Sequence, residues 1–133
     1  MKKIFSGIII SFAVCVFTAA CGNSGTASEE HKQAETNSFA GKVTFVELGA
    51  ATCTPCQMMQ KVMEQMKAQY SNSINIVFYD INTPDGRPYA AKYGIRIIPT
   101  QVFLDTDGME YFRHEGYFPF EAVANILKMK GVE

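Results

Sequence analysis

The chain contains no tryptophan, only two histidines and four cysteines, and it has no cluster of like charges. Its 12 basic and 13 acidic residues give a formal net charge of −1. Nucleic-acid-binding proteins usually carry a basic patch, so its absence argues against a nucleic-acid partner. The scarcity of cysteine and histidine leaves no second Cys-x-x-Cys motif to complete a four-ligand zinc site. With 133 residues, of which 47% are hydrophobic, the composition predicts one globular domain.

The first twenty residues have the organisation of a signal peptide. Lys2 and Lys3 precede an uncharged, mostly apolar run over residues 4–20, and small residues stand directly before Cys21. A cysteine at this place resembles the lipidation site of bacterial lipoproteins, although Thr18 stands where a larger aliphatic residue is usual. The alternatives are an uncleaved anchor and a soluble secreted protein. For an uncleaved anchor, the length of the run is near the lower limit for spanning a bilayer. All three interpretations place the domain outside the cytoplasm.

Residues 21–41 are mostly small or polar, which predicts a flexible tether between the lipid anchor and a folded domain over residues 42–133. Removal of the signal peptide removes Cys15, and lipidation uses Cys21. Only Cys53 and Cys56 then remain as thiols. A disulfide that closes so short a loop constrains little of the unfolded chain. The pair therefore needs a chemical explanation.

After residue 42 the hydrophobic pattern predicts the order β-α-β-α-β-β-α. Strands are predicted over residues 43–48, 74–79, 100–104 and 109–114; the first has the pattern of a strand covered on both faces, and the second is also predicted to be buried. Helices are predicted over residues 54–70, over residues 84–93 and from residue 119 onward. A strand–helix–strand unit with short connections has parallel strands. The predicted fold class is α/β, with a mixed central sheet of about four strands flanked by helices on both faces.

The segment Cys53-Thr54-Pro55-Cys56 lies between the first predicted strand and the first predicted helix. Cys53 is expected at the helix N-terminus, where free N–H groups and the helix dipole stabilise a thiolate. Cys56, one turn later, is expected to face inward and to resolve a mixed disulfide. Pro55 suits the first turn, which does not need its N–H group. Redox chemistry is the leading interpretation, and a structural disulfide and a zinc site are the alternatives.

Several motifs in sequence resemble the thioredoxin superfamily over about residues 42–130. They are the strand–CxxC–helix segment, the stretch from Lys92 through Ile98 and Pro99 to Thr100, and Gly116 after the hairpin. This resemblance implies a thioredoxin-like fold and a thiol–disulfide oxidoreductase whose redox group is the Cys53–Cys56 disulfide, with no other cofactor and no metal.

The same resemblance assigns substrate binding to Thr52, Ile98, Pro99 and Gly116, with a cis peptide bond before Pro99. Glu47 lies six residues before Cys53, where the family carries a buried acid. Burial would raise its pKa, and it could then exchange a proton with Cys56. Glu47 could also end the strand in solvent or form a structural pair.

Three residues near the cysteines depart from the family pattern. Thr52 replaces a tryptophan, Thr54 replaces a glycine, and Gln57 stands where a lysine is common. The substrate groove is therefore altered, and the family's redox potential cannot be transferred to this chain.

The leading function is a thiol–disulfide oxidoreductase that reduces exported protein disulfides, with Cys53, Cys56 and Glu47 as catalytic residues and a membrane electron donor as partner. A disulfide-forming oxidase is one alternative. A copper chaperone is another, because Met58, Met59, Met63 and Met66 could add soft ligands to the cysteine sulfurs. The helical spacing instead places the last three methionines in the core. His114, in the fourth predicted strand, is expected to be exposed and without a partner.

Overall fold

The computed structural model describes residue 39 and residues 41–133. The predicted signal peptide, the lipidation site Cys21 and most of the predicted tether lie outside the described residues. In the described part, the elements follow the predicted order: β1 (Val43–Gly49), α1 (Thr54–Tyr70), β2 (Ile74–Asp80), α2 (Arg87–Lys92), β3 (Thr100–Leu104), β4 (Glu110–Glu115) and α3 (Phe120–Lys128). No helix among these residues has both the length and the apolar character needed to cross a membrane.

The strands form one mixed sheet in the order β2-β1-β3-β4. Strand β1 is parallel to β2, and β3 runs antiparallel to both β1 and β4. All seven residues of the central strand β1 are buried, which explains its near-continuous apolar sequence. The prediction that β2 is a buried strand is wrong, because β2 lies at the sheet edge and is only partly buried. An apolar run alone does not distinguish an edge strand from a central one.

Helices cover both faces of the sheet, as predicted. On one face, Phe45 and Phe103 belong to a core cluster with residues of α1 and α3, namely Met59, Val62, Met63, Met66, Val123, Ala124 and Leu127. On the other face, Val46 and Leu48 pack with Tyr89 of α2 and with Tyr93, which follows it. Alternate residues of β1 therefore point to two separate cores, and Glu47 shares the α1 face with Phe45.

Helix α1 begins immediately after the loop that follows β1. Cys53 is its N-cap, and Pro55 lies in its first turn. Its buried residues recur every three or four positions and form one stripe: Cys56, Met59, Val62, Met63, Met66 and Tyr70. The prediction that three of the four methionines lie in the core is confirmed, whereas Met58 is exposed.

Candidate active site at the start of helix α1

The two predicted redox cysteines form a disulfide, with their Cα atoms 5.1 Å apart. Cys53 is half-buried, whereas the Cys56 side chain is buried. The Cys53 sulfur accepts a hydrogen bond from the backbone N–H of Cys56 at 3.3 Å. The partly exposed sulfur therefore accepts from a backbone N–H group in the first turn of the helix. This N–H group would stabilise the sulfur as an anion in the reduced protein.

The loop before Cys53 is held from two directions. Gln57 donates a side-chain hydrogen bond to the carbonyl of Ala51 at 2.8 Å. The N–H of Ala51 donates to the Asp80 carboxylate at 3.4 Å. Thr52, the predicted substrate-binding residue of this loop, is exposed. Gln57 thus holds the loop at the place where the family often has a lysine.

Asp80 was not identified from the sequence as a site residue, although the sequence shows a carboxylate at the end of the second strand. The parallel register of β1 and β2 pairs Asp80 with Gly49, directly before the active-site loop. A carboxylate at the last position of the second strand therefore had to lie beside this loop.

The predicted substrate-binding residues Pro99 and Gly116 lie at the same end of the sheet as the cysteines. Thr100, next to Pro99, pairs with Leu48 of β1 and with Glu115 of β4. The N–H of Gly116 donates to the carbonyl of Pro99 at 2.8 Å. Gly116 has a φ of 95°, a conformation that side-chain-bearing residues rarely adopt. The peptide bond between Ile98 and Pro99 is cis, as predicted.

Glu47 is fully buried on the α1 face of β1, below the cysteines. Gly49, two residues further on the same face, leaves room for Cys56, because a Cβ atom at Gly49 would lie 3.3 Å from the Cys56 sulfur. Burial raises the pKa of Glu47 to about 8, and the neighbouring Gln101 side chain lowers it in part. Neither carboxyl oxygen has a hydrogen-bond partner in the described part of the protein. The position of a buried acid beneath the disulfide is therefore confirmed, and its catalytic role stays a prediction.

Sequence reasoning missed Gln101, and it was wrong about His114. Gln101 is fully buried, is paired with Glu47 in the antiparallel register, and donates from Nε2 to the Gly116 carbonyl at 3.1 Å. His114 is half-buried rather than exposed, and its ring stacks on Phe118 at 4.2 Å between centroids. Strand alternation gave the face of each residue but not the cross-strand partner, which depends on register.

The arrangement combines a partly exposed sulfur, a second sulfur behind it and a buried carboxyl group beneath. It can attack a disulfide, resolve the resulting mixed disulfide and move a proton within the site. Among residues 41–133, no group of three or more histidine, cysteine, aspartate or glutamate side chains could hold a metal ion.

A family model described as a thioredoxin-like domain matches residues 29–130. Thioredoxin 1 of Synechococcus elongatus is 34% identical over 83 residues, which cover 62% of this chain and 75% of that protein. Thioredoxin of Borreliella burgdorferi is 28% identical over 100 residues, which cover 74% of this chain and 83% of that protein.

Solved structures show the same fold at low sequence identity. The exposed lipoprotein thioredoxin of Streptococcus pneumoniae has a TM-score of 0.63 and 17% identity, covering 71% of this chain and 89% of its own. Thioredoxin-2 of the malaria parasite protein secretion machinery has a TM-score of 0.61 and 18% identity, covering 66% and 82%. The family match and the cysteine pair agree, so the chain belongs to the thioredoxin-like family and is a thiol–disulfide oxidoreductase.

Proposed function

We propose that this oxidoreductase works outside the cytoplasm as a reductase of exported protein disulfides. In this proposal it is anchored by lipid at Cys21 and is re-reduced by a membrane electron donor. The observation that carries the chemistry is the asymmetry of the cysteine pair. Cys53 is partly exposed and caps α1, whereas Cys56 is buried behind it.

The reaction begins when the Cys53 thiolate attacks one sulfur of a substrate disulfide. A mixed disulfide forms, and the other substrate sulfur leaves as a thiolate. Cys56 then loses its proton to the ionised carboxyl group of Glu47 and attacks the Cys53 sulfur. The Cys53–Cys56 disulfide forms, and the second substrate thiol is released. Two electrons have passed to the substrate, and the membrane donor must return two to the enzyme.

Three exposed apolar side chains support a protein as substrate. Met58 lies in the first turns of α1, Ile97 precedes the Ile98-Pro99 bond, and Tyr117 follows Gly116. These side chains are between 42% and 52% exposed. Exposed apolar groups around a reactive sulfur suit an extended polypeptide, which can also pair with backbone groups near Ile98.

Export rests on the signal-like first twenty residues and on Cys21 after small residues. The Streptococcus pneumoniae protein with the same fold is described as an exposed lipoprotein, so this fold and a lipid anchor occur together in one protein. A tether of about 20 residues would reach roughly 20–25 Å from the membrane. This reach would raise the local concentration of a membrane-bound electron donor.

The anchor is tested by Cys21→Ser in a bacterial host that processes lipoproteins. We expect the wild-type protein in the membrane fraction and the variant in the soluble exported fraction, because the acyl chains supply the membrane affinity. Immunoblots of both fractions measure this, with Ser24→Ala as the matched control. A variant that stays in the membrane fraction would contradict the lipid anchor and support an uncleaved apolar one.

The direction of electron flow is tested by thiol trapping in intact cells of the native host. Acid quenching followed by alkylation in denaturant labels Cys53 and Cys56 according to their redox state. We expect a mostly reduced pair, because a reductase is held reduced by its donor. A mostly oxidised pair would reverse the assignment in favour of a disulfide-forming oxidase. Stoichiometric copper in the purified protein would point to the copper chaperone instead.

A further inference from the structure

A row of four cross-strand neighbours crosses the sheet below the disulfide. Phe78 of β2 pairs with Glu47 of β1, Glu47 pairs with Gln101 of β3, and Gln101 pairs with His114 of β4. Residues directly opposite one another project to the same face of a sheet, with Cβ atoms about 5 Å apart. Gln101 therefore stands between the buried acid and a histidine nearer the surface.

Three buried oxygen atoms in this row have no hydrogen-bond partner among the described residues. They are both carboxyl oxygens of Glu47 and Oε1 of Gln101. Buried polar atoms without partners are costly, so their presence in neighbouring side chains needs an explanation. A side-chain amide can accept from a protonated carboxyl group through its oxygen and can donate to an ionised one through its N–H groups. Glutamine can thus serve both protonation states of Glu47.

Gln101 is also fastened to the substrate-binding end of the sheet. Its Nε2 donates to the carbonyl of Gly116 at 3.1 Å. Gly116 in turn donates its N–H to the carbonyl of Pro99 at 2.8 Å. One of the two N–H groups of the Gln101 amide therefore donates to Gly116 at the substrate-binding end of the sheet. The other N–H group remains for the carboxyl group of Glu47.

We propose that Gln101 is a positioning residue that holds the carboxyl group of Glu47 in either protonation state and ties it to the groove through Gly116. The inference rests on the proposed role of Glu47 as the base for Cys56. In the ionised state the amide donates to the carboxylate, and in the protonated state the carboxyl O–H donates to Oε1. No atom of Gln101 contacts the substrate disulfide or the reacting sulfurs in this role.

Few other titratable groups face Glu47 from the elements around it. On helix α1, Cys56 faces the sheet, and Tyr70 does so about four turns further along the helix. Asp80, at the end of β2, accepts hydrogen bonds from the N–H groups of Ala51 and Asn82. His114 lies beyond Gln101, so a variant without this histidine is needed as a control.

The test is a pH titration of the purified, oxidised full chain by NMR, with the Glu47 carboxyl carbon and the Gln101 amide nitrogen observed. In the wild type we expect both signals to titrate with one midpoint. Gln101→Met keeps the side-chain length but removes donor and acceptor. We expect it to raise the Glu47 midpoint by about one pH unit, because the charge-assisted hydrogen bond lost by the carboxylate is stronger than the neutral one lost by the protonated carboxyl group. His114→Phe keeps a ring on Phe118 and should leave the midpoint unchanged.

An unchanged Glu47 midpoint in Gln101→Met, or a wild-type Gln101 amide that does not follow the carboxyl titration, would overturn the proposal. The second observation needs no variant, so a folding failure of Gln101→Met does not block the test. Since the oxidised protein is used, these results do not depend on catalysis. Failure of the proposed function would look different. The wild-type protein would then show the expected titrations of Glu47 and Gln101 but would not reduce disulfides.

In disulfide-reduction assays, Gln101→Met should move the pH–rate profile toward alkaline pH, in the same direction as the carboxyl midpoint. A midpoint that is higher by one pH unit leaves about tenfold less ionised base at pH 7. A double variant that combines Gln101→Met with Glu47→Gln should have the same pH–rate profile as Glu47→Gln alone. A profile that moves again in that double variant would mean that Gln101 acts on another group, which would contradict the inference.

Discussion

Glu47→Gln should raise the free energy of unfolding of the oxidised protein by roughly 4–5 kcal/mol more at pH 9 than at pH 4. The wild-type carboxyl group is fully buried and has a pKa of about 8, against an ordinary value of 4.5. Glutamine cannot ionise, so the variant escapes the cost of either retaining a proton or burying a charge at high pH.

The sign follows from proton binding in the two states. Below pH 4.5 the carboxyl group is protonated whether the chain is folded or unfolded, and it contributes no pH dependence. Between pH 4.5 and about 8 the unfolded chain has lost this proton and the folded protein keeps it. Wild-type stability therefore falls as pH rises through this window and is constant above it, as far as Glu47 is concerned.

Urea unfolding followed by circular dichroism at several pH values measures this difference. Glu64→Gln is the matched control, because Glu64 is an exposed glutamate of α1. It should show little change between pH 4 and pH 9. If Glu47→Gln and the wild type differ equally at both pH values, the buried carboxyl group does not hold its proton in the folded state.

Cys53→Ser should lower the rate of insulin disulfide reduction by at least about a thousandfold. A serine hydroxyl at the helix start is a far weaker nucleophile than a thiolate at neutral pH. Cys56→Ser should stop turnover as well, but for another reason. Cys53 can still attack, and the mixed disulfide then accumulates because no second sulfur resolves it.

Turbidity measures insulin reduction, and mass spectrometry of alkylated samples detects the trapped species. Ser73→Ala, in the turn after α1, is the control and should reduce insulin at the wild-type rate. A stable mixed disulfide with Cys53→Ser, and none with Cys56→Ser, would exchange the roles of the two cysteines. It would contradict the exposure of Cys53 and the burial of Cys56.

The fold was predictable because each element carries a local signal. The apolar run of β1, the three- and four-residue spacing of α1 and the Asp-Thr-Asp-Gly turn before β4 each decide one element. The third strand has the predicted bounds, and α2 is shorter than predicted. The α2 prediction began too early because Pro84 marks a turn there rather than a first helical turn.

The active site was predictable where one segment of chain contains it. Cys53 and Cys56 share one helical turn, so their geometry follows from the helix itself. Gln101 and Glu47 are 54 positions apart, and only the register of β1 and β3 brings them together. A one-residue change in register would turn Gln101 to the opposite face, and nothing local in the sequence excludes that.

Gly49 carries no functional group, yet it determines how closely helix α1 can approach strand β1. A methyl group there would lie 3.3 Å from both Cβ and Sγ of Cys56 and 3.4 Å from the Phe78 ring. Cys56 has little freedom to retreat, since it is bonded to Cys53 and fixed in the first helical turn. Anyone who grafts this cysteine motif onto another scaffold must therefore graft the strand-end glycine with it.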